Sequence, residues 1–343
     1  MMESTSPAAL RVVAIGGGGG ATQVLRAVAE FAAERTAVIA VTDTGRSTGL
    51  ARAIGQIPAP GDLRATIAAF AGDATVAALL QHRFDGRVVP QLEGMAFGNL
   101  LIAALAQVGG DFGAAVQRVA RLADSRVTVL PVSHHDTQLC AILADGRRVD
   151  GELAVRGPDK PAIAQVFLAP PAPATAAACD AVRHADLVVI GPGSLFTTVL
   201  ATLAFDGMAA ALAASHGALV YVVNTTTQTG QTETVDVVGH VRRVIEAIAP
   251  ARLAAVLLNT GAVDAATRGR LAAQGLAPLH VDDAVIAAVA ALGPRVVARP
   301  LGEDGGADRV LWQKQDTIRH DSARLGAALR DAVLSGRTRK DHA

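Results

Sequence analysis

Cysteine, lysine and aromatic residues are scarce in this 343-residue chain, and neither positive nor negative charge is in excess. The two cysteines, Cys140 and Cys179, form no Cys-x-x-Cys pair, so we expect neither a disulfide framework nor a zinc site. Arginine plus lysine and aspartate plus glutamate each number 31, which gives a formal net charge of zero. Proteins that bind nucleic acid generally carry a basic excess, so we do not expect a nucleic-acid partner.

Long apolar runs are also missing from the chain. No segment reaches the roughly 18–20 consecutive apolar residues that a membrane-spanning helix needs. The first twenty residues have no basic segment before their apolar stretch, which runs into glycines, so we expect no secretory signal peptide. Two isolated cysteines suit a reducing compartment, and together these absences predict a cytoplasmic protein.

Apolar strands and helix-like stretches alternate along most of the chain. An apolar run at 11–15 is followed by glycines, a helix-like stretch at about 22–34 and a second apolar run at 37–42. The alternation resumes later, with apolar runs at 187–190, 219–223 and 253–258. This order is typical of an α/β fold with a doubly wound, mostly parallel sheet. A further helix-like stretch covers about 62–81.

The alternation is interrupted between residues 126 and 173, where short β-prone segments such as 149–155 and several prolines occur. Ala144-Asp145-Gly146 lies between two of these segments and is a good hairpin signal. We expect a small antiparallel β lobe here, inserted into one α/β domain that spans residues 11–334. Residues 1–10 and 335–343 are expected to be disordered ends.

Small or polar clusters follow several of the predicted strands. In open parallel sheets, ligands bind in the crevice outside the carboxyl ends of the strands. Five clusters would line such a crevice, at 16–22, 43–49, 191–198, 224–230 and 259–261. Their repetition, more than any single cluster, predicts a ligand-binding site at this edge of the sheet.

The first cluster fits a dinucleotide-binding pattern, Gly16-x-Gly18-x-x-Ala21, with Asp43 about 20 residues further on. Its amides could bind a phosphate at a helix N-terminus, although a tight strand-to-helix turn would give the same pattern. No Lys-Ser/Thr follows, which excludes a P-loop. Asp43 could hold a ribose hydroxyl or Mg²⁺, and Asp62 could contact a ligand or simply cap the next helix.

The cluster at 191–198 reads Gly-Pro-Gly-Ser-Leu-Phe-Thr-Thr, which predicts a rigid turn followed by a helix with hydroxyl-bearing residues at its start. It could form a second anion-binding nest or a plain helix cap. The cluster at 224–230 is dense in groups that hydrogen-bond bases and sugars, and it could also be an ordinary loop. His134-His135-Asp136 is expected to be a polar loop, since neighbouring residues on a strand point to opposite faces.

Nine short motifs follow one another in an order that resembles the YvcK/CofD family, over about residues 11–250. The motifs lie at 12–20, 43–49, 57–64, 82–84, 97–101, 129–131, 151–152, 190–198 and 223–240. They include Ile-Pro-Ala-Pro-Gly-Asp-Leu-Arg at 57–64 and Phe-Gly-Asn-Leu-Leu at 97–101. The resemblance implies a Rossmann-like sheet with inserted elements.

The family resemblance implies one of two functions. YvcK-type members, often called gluconeogenesis factors, are cytoplasmic, bind UDP-sugars such as UDP-N-acetylglucosamine and support cell shape and cell-wall synthesis during gluconeogenic growth. CofD-type members are Mg²⁺-dependent transferases that move a phospholactyl-type group from a guanosine diphosphate carrier to a deazaflavin. The motifs at 191–198, 61–64 and 224–230 are similar to the YvcK branch, which favours a regulator over an enzyme. A homodimer and cell-wall synthesis proteins are the implied protein partners.

The motifs and the resemblance together give the expected ligand-binding residues. They are Gly17, Gly18, Asp43, Ser47, Asp62, Arg64, Asn99, Gly193, Ser194, Thr197, Asn224 and Gln228. In a transferase, Asp43 and Asp62 would hold Mg²⁺, which is the one cofactor that the resemblance suggests. No catalytic residue can be assigned from the sequence.

The sequence departs from the family pattern at several points. The usual Asp-Asp-Gly-Gly-Ser-Ser loop reads Asp-Thr-Gly-Arg-Ser-Thr at 43–48, and the usual Gly-His-Ser reads Gly-Met-Ala at 94–96. Thr229 stands where proline is common, and 233–238 lacks the frequent aromatic residue. An altered ligand or a divergent paralogue therefore stays open. An NAD-type oxidoreductase would leave the 191–198 loop unexplained, and a scaffold without a ligand would leave the repeated polar strand ends unexplained.

Overall fold

The computed structural model describes residues 10–303 and 317–340. Its strands, in chain order, are β1 (Leu10–Gly16), β2 (Ala32–Ile39), β3 (Thr128–Pro131), β4 (Gln138–Leu143), β5 (Arg148–Asp150), β6 (Ile163–Ala169), β7 (Leu187–Ile190), β8 (Ala218–Val222), β9 (Ala255–Asn259) and β10 (Arg295–Arg299). The strands form a seven-stranded sheet and a separate three-stranded sheet.

Helices cover the connections between these strands. They are α1 (Gly18–Ala27), α2 (Arg46–Gly55), α3 (Gly61–Ala69), α4 (Ala74–Gln81), α5 (Phe97–Gly109), α6 (Phe112–Leu122), α7 (Glu152–Arg156), α8 (Ala176–His184), α9 (Ala201–Leu203), α10 (Met208–Ala213), α11 (Val237–Ile248), α12 (Ala265–Ala272), α13 (Asp283–Ala291) and α14 (Ser322–Lys340). A 3₁₀ turn at Pro90–Leu92 precedes α5, and a π-helical turn at Leu195–Leu200 runs directly into α9.

The seven-stranded sheet has the order β10-β9-β8-β7-β1-β2-β3, and all of its strand pairs are parallel. From β1 the chain winds outward to β2 and β3, and it later returns to β7 and winds the other way to β10. The topological switch point therefore lies between β1 and β7. Helices cover the sheet, and β7 (Leu-Val-Val-Ile) is buried along its whole length, as expected for a central parallel strand.

The register brings the carboxyl ends of the central strands to the same level. Gly16 of β1 pairs with Ile39 of β2, and Ile15 pairs with Ile190 of β7. Ile190 in turn pairs with Tyr221 of β8. The loops that follow these four strands consequently leave the sheet along one edge, where ligands bind in doubly wound folds.

The predicted fold class is confirmed, with a different boundary for the inserted lobe. The small antiparallel sheet has the order β5-β4-β6 and spans 138–169. Thr128–Pro131, which we expected in the lobe, pairs in parallel with β2 and extends the main sheet. The expected strand at 149–155 ends at Asp150, because Gly151 adopts a φ of 90° and the chain continues as α7.

Some helix boundaries also differ from the expected ones. α1 begins at Gly18, inside the glycine run. The stretch at 62–81 divides into α3 and α4, because the Asp73 carboxylate caps α4 by accepting from the Thr75 and Val76 amides. Leu10 belongs to β1 and residues 335–340 continue α14 to Lys340, so the expectation that 1–10 and 335–343 are disordered is wrong at these positions. The remaining residues of the two ends, 1–9 and 341–343, lie outside the described residues. No helix of the described segments is long and apolar enough to cross a membrane.

Candidate functional site

A cleft of about 980 Å³ opens at the carboxyl ends of β1, β2, β7 and β8. This volume lies in the range of about 300–1,000 Å³ that is usual for small-molecule sites. Backbone and hydroxyl groups from the clusters at 16–22, 43–49, 191–198 and 224–230 line it. The cluster at 259–261 does not reach this cleft, because β9 is one strand further from the switch point.

The two glycine-containing loops are in direct contact. A Cβ atom on Gly20 would lie 1.6 Å from the carbonyl oxygen of Pro192, so α1 and the 191–198 loop can approach this closely only with glycine at position 20. A Cβ atom on Gly17 would lie 2.6 Å from Asp62 Oδ2 and 2.7 Å from Thr198 Cγ2. The two predicted anion nests therefore form one continuous surface at the switch point.

Two helix N-termini meet at this surface. In α1, the residue before the helix is Gly17, which has no side chain that could cap the first-turn amides. In the π-helical turn, the Thr198 and Val199 amides both bond the Ser194 carbonyl, and the Ser194 side chain makes no cap bond. Helix N-termini combine amide donors with a favourable dipole, so this surface suits a phosphate or diphosphate.

Side chains after β8 hold the 191–198 loop in place. The Gly193 amide donates to Asn224 Oδ1 at 3.0 Å, and Ser194 Oγ donates to Gln231 Oε1 at 2.7 Å. Thr197 Oγ1 donates to Ser194 Oγ at 2.7 Å. Gln231 was not among the site residues expected from the sequence, although it lies within the motif at 223–240. Asn224 and Gln231 thus order the loop that would bind the anion.

Gln228 is placed differently from Asn224. Its backbone amide donates to Thr232 Oγ1 at 2.8 Å, which fixes the turn. Its side-chain oxygen is buried and finds no hydrogen-bond partner within 10–303 and 317–340. A buried acceptor without a partner costs free energy, and a ligand donor in the cleft would satisfy it.

Arg52 anchors the other wall of the cleft, after β2. Its guanidinium donates to the carbonyl oxygens of Thr42 and Asp43 at 3.3 and 3.2 Å, and to Asp136 Oδ1 at 2.6 Å. It also donates to the carbonyl oxygen of Thr137 at 2.9 Å. The polar segment after β3 therefore binds Arg52, and Arg52 fixes the backbone at Asp43.

A buried carboxylate, Glu152, also lines this wall. It is the first residue of α7, and its Oε2 accepts from Thr44 Oγ1 at 3.4 Å. Burial raises the pKa of the Glu152 carboxyl, Arg156 opposes the rise, and the negative charge of Asp43 adds to it. Its only sequence signal is the Gly-Glu pair at 151–152 among the family motifs, and it was not among the expected site residues.

Arg64 and Asn99 lie behind the cleft and do not line it. Arg64 Nε donates to Asn99 Oδ1 at 3.0 Å, and Asn99 Nδ2 donates to Ser47 Oγ at 3.0 Å. Burial, followed by the nearby Arg83, lowers the pKa of Arg64 to about 10, so Arg64 remains charged at neutral pH. This buried chain supports the loops that carry the site. The other expected residues line the cleft: Gly17, Gly18, Asp43, Ser47, Asp62, Gly193, Ser194, Thr197, Asn224 and Gln228.

Asp43 and Asp62 are the acidic residues that could hold a metal ion here, and both line the cleft. Asp43 Oδ1 accepts from the Gly45 amide at 2.9 Å. Within the described part of the chain, no three or more His, Cys, Asp or Glu side chains form a metal-binding group. Mg²⁺ is commonly held by one or two carboxylates together with phosphates, so these residues fit Mg²⁺ only alongside a bound phosphate.

His320, two residues before α14, is a wall residue that the sequence did not indicate. Its backbone amide donates to Gln23 Oε1 at 3.4 Å, which links the chain before α14 to α1. Burial lowers the pKa of His320 to about 4, so its ring is neutral at neutral pH.

The chain is similar to proteins of known family. The model of 2-phospho-L-lactate transferase CofD matches residues 12–301. The chain is 30% identical over 330 residues to the gluconeogenesis factor of Halalkalibacterium halodurans, which covers 96% of this chain and 97% of that protein. It is 31% identical over 328 residues to the gluconeogenesis factor of Bacillus subtilis, covering 94% and 98%. A crystal structure of a Bacillus halodurans protein superposes with a TM-score of 0.86 at 29% identity, over 94% of this chain and 99% of that one.

Proposed function

Because the chain belongs to the YvcK/CofD family, we propose that its cleft binds a nucleotide sugar, a UDP-sugar such as UDP-N-acetylglucosamine. The direct contact between the two glycine-containing loops carries this proposal. It brings the N-termini of α1 and of the π-helical turn together, and their amides would form one anion-binding surface. A diphosphate on that surface would extend one end of the ligand toward the polar residues after β8 and the other toward those after β2.

The protein acts as a cytoplasmic regulator that links gluconeogenic metabolism to cell shape and cell-wall synthesis. Two relatives, those of Halalkalibacterium halodurans and Bacillus subtilis, are gluconeogenesis factors, which supports a role in this part of metabolism. Binding a nucleotide sugar without converting it would let the protein report the supply of wall precursors to its protein partners, which include cell-wall synthesis proteins and a second copy of the chain.

Calorimetric titration tests the ligand class. Purified protein is titrated with UDP-N-acetylglucosamine with and without Mg²⁺, and with GDP and NAD in parallel. The proposal expects saturable binding of the UDP-sugar, weaker binding of GDP and NAD, and no hydrolysis of the recovered ligand. A folded sample that binds no UDP-sugar would overturn it.

A CofD-like transferase is the second candidate, supported by the match to 2-phospho-L-lactate transferase CofD and by the position of Asp43 and Asp62 in the cleft. In that reaction the phospholactyl group would leave with one phosphate of the carrier, the bond between the two phosphates would break and GMP would be released, and Mg²⁺ would supply positive charge to the phosphates. Asp43 and Asp62 would hold the ion together with the phosphates, and the glycine loops would orient the diphosphate. Mg²⁺-dependent release of GMP from a guanosine diphosphate carrier in the presence of a deazaflavin would favour this candidate.

A further inference from the structure

The inserted lobe contributes one short helix, α7, to the wall of the cleft. α7 follows β5 through Gly151, whose amide donates to the Leu139 carbonyl of β4 at 2.9 Å. Glu152, the first residue of α7, is 4% exposed, and Val155 on the next turn packs into the core. The lobe thereby places the Glu152 carboxylate in the cleft wall, on a helix whose preceding residue is hydrogen-bonded to the sheet of the lobe.

α7 is held in place by contacts with two segments that line the cleft, one after β2 and one after β8. On one side, Glu152 meets Thr44, whose neighbours are held by Arg52. On the other side, Lys160 donates to the Gly157 carbonyl at 2.5 Å and to the Gly230 carbonyl. A Cβ atom on Gly230 would lie 2.4 Å from the Arg156 carbonyl oxygen, so the chain leaving α7 packs directly on the segment after β8. The Glu152 carboxylate is therefore held in one position.

Two residues of the described part of the chain supply hydrogen-bond donors or positive charge to the Glu152 carboxylate. Thr44 donates from its hydroxyl at 3.4 Å and from its backbone amide, and Arg156 Nη1 lies 3.6 Å away on a side chain that is 45% exposed. The remaining charged group that acts on it is Asp43, which is repulsive. A carboxylate offers about four acceptor positions, so Glu152 can accept a further hydrogen bond from a donor in the cleft.

We propose that Glu152 determines ligand specificity by accepting hydrogen bonds from the hydroxyl groups of the sugar in the bound nucleotide sugar. This inference rests on the proposed function and adds the orientation of the ligand within the cleft. The diphosphate lies on the two glycine loops, beside Asp62 and away from Glu152. The base lies toward Gln228, whose buried side-chain oxygen lacks a partner among the described residues, and the sugar lies toward Asp43 and Glu152.

The test compares the dissociation constants of UDP and UDP-N-acetylglucosamine for the wild type and for Glu152→Gln. We expect the variant to lose about tenfold to a hundredfold in affinity for the UDP-sugar, since hydrogen bonds to charged groups are the stronger ones. Its affinity for UDP should stay within about twofold of the wild type, because UDP has no sugar at the β-phosphate. Glu246→Gln, an exposed site on α11, is the matched control and should change neither constant.

Each other outcome overturns a defined part of the account. Equal losses for UDP and UDP-sugar, or no loss for either, would overturn the role of Glu152 alone. A loss that occurs only with Mg²⁺ present would also overturn it, since the carboxylate would then hold a cation. A wild type that binds no UDP-sugar would overturn the proposed function itself. Glu152→Asp, which keeps the charge but shortens the side chain, is expected to give a smaller loss for the UDP-sugar only, and it serves if Glu152→Gln does not fold.

Discussion

At the scale of single residues, the polar groups of the cleft divide into anchors and groups that face the ligand. Asn224 accepts from the Gly193 amide and so orders the 191–198 loop. Ser47, Asn99 and Arg64 form a buried chain behind the 43–49 loop. The Gln228 side-chain oxygen instead finds no partner among the described residues, and the Glu152 carboxylate can accept further hydrogen bonds. The proposed binding would therefore depend on both kinds of residue.

Asn224→Ala and Ser194→Ala are each expected to weaken nucleotide binding while leaving the fold intact. Each removes a hydrogen bond that orders the anion-binding loop. Such a bond contributes roughly 0.5–1.5 kcal/mol, so the dissociation constant should rise a fewfold to about tenfold. Calorimetric titration measures the change, and circular dichroism checks the fold. Unchanged affinity in both variants would show that the ligand binds elsewhere.

The buried His320 is expected to make stability fall at acidic pH. Its folded pKa of about 4 is below its ordinary value of 6.5, so the unfolded chain takes up the proton first. Stability that is present above pH 6.5 is then lost as the pH falls toward 4, by about 3 kcal/mol. Burial also lowers the pKa of His240, which acts in the same sense, whereas the raised pKa of Glu152 acts in the opposite sense.

Urea unfolding at several pH values measures this effect. In His320→Gln, the slope of unfolding free energy against pH between 6.5 and 4 should fall by up to about 1.4 kcal/mol per pH unit. The readout is the slope and not the absolute stability, because the substitution also changes packing. An unchanged slope would mean that His320 is charged in the folded protein.

At the scale of elements, the close approach of α1 to the 191–198 loop sets the geometry of the site. Gly20→Ala would place a Cβ atom 1.6 Å from the Pro192 carbonyl oxygen, so the two elements must separate. We expect a loss of about 1–3 kcal/mol or more in unfolding free energy, together with weaker ligand binding. The matched control is Gly19→Ala, whose Cβ would meet no described atom outside its own helical turn within 4 Å. In a helix, that exchange should be neutral or stabilising by up to about 1 kcal/mol. Equal stability of both variants would contradict the contact.

We expect the hydrogen bonds of Arg52 to contribute more than those of any other single described residue to holding the 42–43 segment against the segment after β3. Arg52→Lys keeps the charge but cannot donate to the carbonyl oxygens of Thr42, Asp43 and Thr137 at once. We expect a loss of about 1–3 kcal/mol in unfolding free energy, measured by urea denaturation. Arg11→Lys, in an exposed pair with Asp186, should cost no more than about 0.5 kcal/mol. Equal effects in the two variants would contradict the anchoring role.

Local patterns predicted those elements whose partners are close in sequence. The apolar runs of β7 and β8, and the glycine and polar clusters after the strands, could be recognised because each is a property of a few neighbouring residues. β3 was wrongly placed in the lobe, since its pairing with β2 joins segments about 90 residues apart. α7 was wrongly placed in a strand, since the positive φ of Gly151 was not indicated. Glu152 was missed for the same reason, because its position in the cleft depends on that turn.

At the scale of the whole molecule, the order of the strands determines where the ligand binds. β1 and β7 are neighbours in the sheet although about 170 residues separate them, and the two glycine-containing loops follow these two strands. Their register puts both loops at one level, and the lobe closes the cleft from one side through α7. The proposed UDP-sugar site would thus be built from five segments of the chain, namely 16–22, 43–49, α7, 191–198 and 224–231.

The most direct measurement of this central claim is amide hydrogen exchange with and without saturating UDP-N-acetylglucosamine. The account predicts that the ligand slows exchange in 16–22, 191–198 and 224–231, together with 43–49 and α7, and leaves β10 and α12 unchanged. Slowed exchange confined to segments outside the cleft, or no change at saturating ligand, would contradict the claim that the two glycine loops form a nucleotide-sugar site.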